Sequence, residues 1–148
     1  MYTIKTIPSA ATFAVRQPVL RPGKPVETCI FEGDDLPTTI HFGIFDGDTL
    51  AGIISVFKAN HDLFGEDNQY QIRGMAVLKQ YQKQGLGELL VRHAEQYVAE
   101  QRGTFIWFNS RESATGFYEK MEYYVIGKPF WIGDIGTHYV MFKKCSFS

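Results

Sequence analysis

The turn Gln82-Lys83-Gln84-Gly85-Leu86-Gly87 constrains this chain most, because it joins an apolar run, Tyr70 to Val77, to a helical pattern that continues to Gln101. A strand that enters a glycine-bearing loop and leaves as a helix exposes several backbone N–H groups with no partner inside the helix. Gly85 and Gly87 reach dihedrals closed to other residues and let an anion approach the main chain. The turn therefore suits a phosphate or pyrophosphate, and Lys83 adds a screened positive charge. A plain strand-to-helix turn, with glycines serving only tight packing, uses the same residues, and spacing alone leaves both readings open. Two other phosphate turns fit poorly. No Gly-x-x-x-x-Gly-Lys-Ser/Thr is present, and the dinucleotide fingerprint needs a further glycine where Leu90 stands.

Hydrophobic periodicity supplies the elements around this turn. Tyr2 to Ile7 alternates as a short strand, Ala10 to Leu20 reads as a helix disturbed at Pro18, and Arg21-Pro22-Gly23-Lys24-Pro25 breaks it. Thr39 to Phe45 and Leu50 to Lys58 form a hairpin pattern through Asp46-Gly47-Asp48. After the turn, Leu86, Leu89, Leu90, Ala94, Tyr97 and Val98 share one helix face, and Gly103 ends the helix. Thr104 to Phe108 reads as a strand ending at Asn109, Glu112 to Met121 as a short helix, and Tyr123 to Ile126 and His138 to Phe142 as strands. The order predicts a mixed α/β (α+β) domain over residues 1–148, with one strand-helix-strand crossover from Tyr70 to Phe108.

Composition narrows the function classes. The 148 residues suffice for one core, with a formal net charge of −1 and no long block of either sign. Nucleic acid is not expected as a partner on that balance. No apolar run approaches the ~18 residues of a membrane span, and the opening lacks a basic segment followed by an apolar one, so a cytoplasmic protein without membrane association is expected. Cys29 and Cys145 stand far apart with no metal-ligand or redox spacing, so no metal is expected.

Gln82-x-x-Gly85-x-Gly87 after Arg73-Gly74-Met75-Ala76-Val77 resembles the acyl-CoA signature of the GNAT superfamily of N-acetyltransferases. Ser113 to Met121 resembles the Ala-x-x-Phe-Tyr-x-x-x-Gly-Phe element of the same family, and Val19-Leu20-Arg21-Pro22-Gly23 is similar to a segment of a little-characterised bacterial subgroup. The resemblance implies a GNAT-like fold: a central mixed, mostly antiparallel sheet with two splayed parallel strands and helices on both faces. It implies acetyl-CoA as co-substrate. The amides of Gln82, Lys83, Gln84, Gly85, Leu86 and Gly87 would grip the pyrophosphate, and the main chain of Met75, Ala76 and Val77 would pair with pantetheine. Asn109 and Phe117 would complete the cofactor side.

The implied chemistry is direct acetyl transfer to the amine of a small-molecule acceptor in a ternary complex. Phe117, Tyr118 and Met121 at helical spacing favour a core on the residues alone, and it is the resemblance that implies Tyr118 as the general acid. No general base transfers from the family, because Arg73 stands where many relatives carry a glutamate. Glu32, Asp34, Asp35, His41 and His138 remain candidates. Arg21, His41, Arg73 and His138 are the expected acceptor-side residues; Arg16 could join the arginines on a carboxylate or phosphate, and Phe130-Trp131 could line the same pocket. Glu122 replaces the family's glycine, which suggests a rearranged helix end that could carry Tyr118 with it. A sensor that binds acyl-CoA without turnover, and a protein or peptide N-acetyltransferase, are the rival readings. Whether the protein forms a homodimer stays open.

Overall fold

A computed structural model describes residues 1–133 and 135–145. Seven strands, β1 (Tyr2–Ile7), β2 (Ile40–Asp46), β3 (Thr49–Lys58), β4 (Gln69–Val77), β5 (Phe105–Arg111), β6 (Tyr124–Ile132) and β7 (Gly136–Lys144), form one sheet in the order β1-β2-β3-β4-β5-β7-β6. β1 to β4 run antiparallel in succession, and β7 lies antiparallel between β5 and β6. The junction of β4 with β5 is parallel, as a helical crossover demands. The expected mixed, mostly antiparallel sheet is observed.

Helices cover both faces. α2 (Leu86–Glu100) places Leu86, Leu90, Val91, Ala94 and Val98 against Phe42, Ile44, Ile54, Val56 and Ile72. α1 (Phe13–Leu20) packs Val15 with Ile7, Ile53 and Ala76 on the other face. Adjacent Ile53 and Ile54, both fully buried, point into the two separate cores, as the two-residue period of a strand requires. The apolar stripe of α2 differs from the sequence reading at one position: Leu89 is 47% exposed and Val91 is buried. Ala94 is near the middle of the buried stripe, and successive 100° steps put Leu89 well off it and Val91 on its flank.

Pro18 sits inside α1, preceded by a 3₁₀ turn at Ser9–Thr12. The short helix after β5 is split similarly, into a 3₁₀ turn at Glu112–Ala114 and α3 (Thr115–Lys120). The last two strands are longer than their apolar runs, because β6 continues past a register shift between Ile126 and Phe130. No helix among the described residues is long and apolar enough to cross a membrane.

Candidate active site

The site begins where the sheet comes apart. β4 and β5 pair only at Gln69–Phe105, Tyr70–Ile106 and Gln71–Trp107. Beyond these rungs β4 stays with β3 as far as Val77, and β5 stays with β7 as far as Arg111. Their facing edges diverge from Ile72 and Phe108 onward and border a cleft of about 880 Å3. The divergence coincides with a bulge in β4: Ile53 pairs with Ala76 but Ser55 pairs with Arg73, so β4 carries one extra residue there. Gly74 takes φ 66° in that bulge, and a Cβ at this position would come within 3.0 Å of the Phe31 ring. An isolated glycine in a strand pattern is the sequence signal of such a bulge.

The glycine turn forms the far end of the cleft. Lys83 and Gly85 both adopt the left-handed conformation, with φ 65° and 82°, and Gly85 caps α2. The amides of Lys83 to Glu88 have no acceptor among the described residues; the first helical bond runs from the Leu89 amide to the Gly85 carbonyl. Open space surrounds Gly85, where a Cβ would meet nothing within 4 Å. The Gln82 side chain braces the turn by donating to the Val77 carbonyl at 2.9 Å, and the Tyr2 hydroxyl donates to the Gln84 side-chain oxygen. Met75, Ala76, Val77, Gln82, Lys83, Gly85, Leu86, Gly87, Asn109 and Phe117 all border the cleft. Gln84 does not, because its side chain is turned toward β1.

Tyr118 also lines the cleft, packed between Phe108 at 4.3 Å and Phe117 at 5.0 Å, ring centre to ring centre. Burial pushes its phenol up to about 12. Its hydroxyl has no hydrogen-bond partner among the described residues, which leaves it available to a ligand. Glu122 takes φ 72°, and the Tyr123 amide closes the turn onto the Tyr118 carbonyl at 3.1 Å. Glu122 thus holds, with a side chain, the left-handed position at which the turn closes.

At the opposite end the wall is made of side chains. Arg21, Phe31, Arg73 and His138 border the cleft, and Arg111 joins them. His41 does not; it lies beneath the sheet, with Nδ1 2.6 Å from the Ser55 hydroxyl and Nε2 2.9 Å from the Asp34 carbonyl. The carbonyl can only accept, so Nε2 donates. Arg16, fully buried, forks onto Asp34 at 2.7 and 3.0 Å and also donates to the Cys29 carbonyl and Ser55. Burial pushes the Asp34 carboxyl up, but hydrogen bonds from Arg16 and the Phe31 amide, with the charges of Arg16 and His41, outweigh it and hold the group below its ordinary value. Arg16, Asp34 and His41 are thus committed to holding the Phe31 loop.

Asp35 accepts a bond from Ser9, Glu32 is exposed, and neither borders the cleft. Of the carboxylates and histidines considered as bases, His138 is on the wall. Its Nδ1 donates to the Gly136 carbonyl at 2.8 Å, so the tautomer with its lone pair on Nε2 is the one the neutral ring adopts. Phe130 and Trp131 miss the cleft: Trp131 is 69% exposed on the edge strand, while Ile132 and Ile135 take the place on the wall expected for them.

Comparison with known proteins agrees with this architecture. The model of the Acetyltransferase (GNAT) family matches residues 10–123. The uncharacterized N-acetyltransferase YitI of Bacillus subtilis (strain 168) is 36% identical over 143 residues, covering 97% of this chain and 96% of that protein. The ribosomal-protein-S18-alanine N-acetyltransferase of Escherichia coli superposes with a TM-score of 0.80 at 17% identity, covering 100% of this chain and 96% of the other. An aminoglycoside 6'-N-acetyltransferase complexed with coenzyme A superposes with a TM-score of 0.74 at 17% identity, covering 96% of each chain. With its splayed strands, its open amide turn and a family match over most of its length, the chain belongs to the GNAT acetyltransferase family.

Proposed function

We propose that this protein transfers the acetyl group of acetyl-CoA to the amine of a small molecule, directly and within a ternary complex. The observation that carries this reading is the run of unpaired amides from Lys83 to Glu88 at the end of an open β4 edge. Amides converging on a helix N-terminus suit a pyrophosphate, and the free edge of β4 from Ile72 to Val77 offers donors and acceptors to the amides of pantetheine. Gln84 would contribute its amide to this grip, whereas the Gln82 amide, expected to join it, donates to the Lys79 carbonyl at 3.2 Å and is not free; both side chains brace the turn.

In the reaction the amine nitrogen attacks the thioester carbonyl, the C–S bond breaks, the nitrogen loses a proton and the sulfur gains one. An alkylamine with a pKa near ~10.4 needs about 4–5 kcal/mol to reach its neutral form at pH 7. His138 Nε2, with its lone pair open on the wall, takes that proton directly or through water. Alignment of both reactants contributes roughly 7–11 kcal/mol, the larger part of the catalysis. An amide of the Ala76–Val77 segment polarises the acetyl oxygen.

Tyr118 serves the departing sulfur. With its phenol raised to about 12, the group is neutral throughout the working range and always carries its proton. Full transfer to a thiolate whose acid has a pKa near ~8.5 runs uphill, so the hydroxyl acts first as a hydrogen-bond donor to developing charge. Transfer follows to the extent that the same dry wall raises the thiol. Calorimetry with coenzyme A and with pantetheine alone tests the carrying observation. Coenzyme A should bind and pantetheine should bind far more weakly; absence of coenzyme A binding overturns the proposal. Thiol release with an amine panel then separates turnover from binding alone.

A further inference from the structure

The acceptor end of the cleft is cationic to a degree its surroundings do not balance. Three guanidinium groups gather on one aromatic ring: Arg16, Arg73 and Arg21 lie 3.8, 4.7 and 5.7 Å from the Phe31 centroid. The one carboxylate hydrogen-bonded to the group among the described residues is Asp34, and Arg16 occupies both of its oxygens. Arg21 and Arg73 are left with main-chain acceptors, the Leu20 carbonyl at 3.0 Å and the Glu32 carbonyl at 3.4 Å. Neither has a carboxylate partner among the described residues, and both border the cleft. The one acidic side chain among the described lining residues, Glu88, belongs to the glycine-turn end and pairs with Arg92 at 3.2 Å.

Such a wall has an energetic meaning. Arg73 is stacked between Phe31 and Phe57 and partly withdrawn from water; that burial, with the charges of Arg16 and Arg21, depresses its basicity against the counteracting carboxylates. Two half-buried cations held close together, neither in direct contact with a carboxylate, repel one another, and an anion placed between them relieves both the repulsion and the lost hydration. A polycationic acceptor would meet the opposite situation.

We infer that the acceptor amine carries an oxyanion of its own, a carboxylate or phosphate, which Arg21 and Arg73 bind while the amine points at the thioester. The inference rests on acetyl transfer taking place in this cleft. Phe31 holds the two guanidinium groups in position, and the buried Arg16–Asp34–Ser55–His41 network holds Phe31 through its amide bond to Asp34 at 2.9 Å. Arg21 and Arg73 therefore determine specificity, whereas Arg16 positions the loop.

The test compares matched acceptors with the full-length protein and acetyl-CoA: amino acids against their carboxamides, and phosphoethanolamine against ethanolamine. Coenzyme A affinity is measured alongside by calorimetry. The acid or phosphate member of a pair should be preferred in kcat/KM by about 10- to 100-fold. Arg73→Gln and Arg21→Gln should each reduce that preference at least about tenfold, mainly through KM. Arg21→Lys should retain part of it. Preference for carboxylates over phosphates, or the reverse, names the source of the oxyanion. If Arg73→Gln fails to fold, Arg21→Gln carries the test. Intact coenzyme A binding with equal or better use of neutral or polycationic amines overturns this inference and spares the acetyltransfer reading, as does a panel in which no oxyanion amine is used. Loss of coenzyme A binding in the parent protein overturns both.

Discussion

The two ends of the cleft are built on opposite principles. At the glycine turn the functional groups belong to the main chain: amides from Lys83 to Glu88 stand open, while the side chains of Gln82 and Gln84 brace the loop. At the arginine end the groups are side chains brought together from α1, the Phe31 loop and β4, and held by a fully buried guanidinium. The first kind of site depends on a local conformation and tolerates many side chains. The second depends on tertiary assembly, where removing one partner strands a charge in the interior.

Four substitutions separate the two constructions, each with a different readout. Tyr118→Phe, in the cleft between the two ends, should lower kcat by roughly 10²- to 10⁴-fold with coenzyme A affinity preserved. An unchanged kcat in thiol-release assays would remove the proton role. Asp34→Ala leaves Arg16 buried without its counter-ion and should cost about 3–5 kcal/mol in urea unfolding. Parent stability has a related pH dependence: because the folded carboxyl is held below 3.8, its contribution is complete above that value and disappears as pH falls through the lower folded value. A flat stability profile from about pH 5 down to acid unfolding would contradict the ion pair.

Gly85→Val forces a branched residue into φ 82° and should weaken coenzyme A binding by at least about tenfold while costing about 1–2 kcal/mol. Unaltered affinity would show that the turn does not hold the ligand. Glu122→Gly relaxes the left-handed cap and should raise stability by about 1 kcal/mol without affecting either end of the cleft. A change in kcat for that variant would mean the helix end tunes Tyr118 after all.

The same contrast explains what the sequence disclosed. The glycine turn, the amphipathic α2 and the hairpin of β2 and β3 are written in neighbouring residues, so spacing and periodicity sufficed. His41 looked like a cleft residue because a histidine in a strand gives no sign of which face it serves; register with Ser55 placed it under the Phe31 loop. Phe31 went unnoticed for the same reason, since its importance comes from Arg16, Arg73 and Gly74, all distant in sequence. Phe130 and Trp131 misled because aromatic composition favours burial, whereas the edge position of β6 leaves Trp131 in solvent.

The brevity of the parallel junction has a consequence for how the molecule responds to occupancy. Three rungs, residues 69–71 against 105–107, join an antiparallel block of four strands to one of three. Each block can zip from local hairpins, but this seam waits on the closure of a long crossover and should be among the last contacts made and the first to fray. A molecule lodged across the opening would act as a fourth rung, stapling the blocks together, so its presence should slow amide exchange along β5 as well as in the strand it touches.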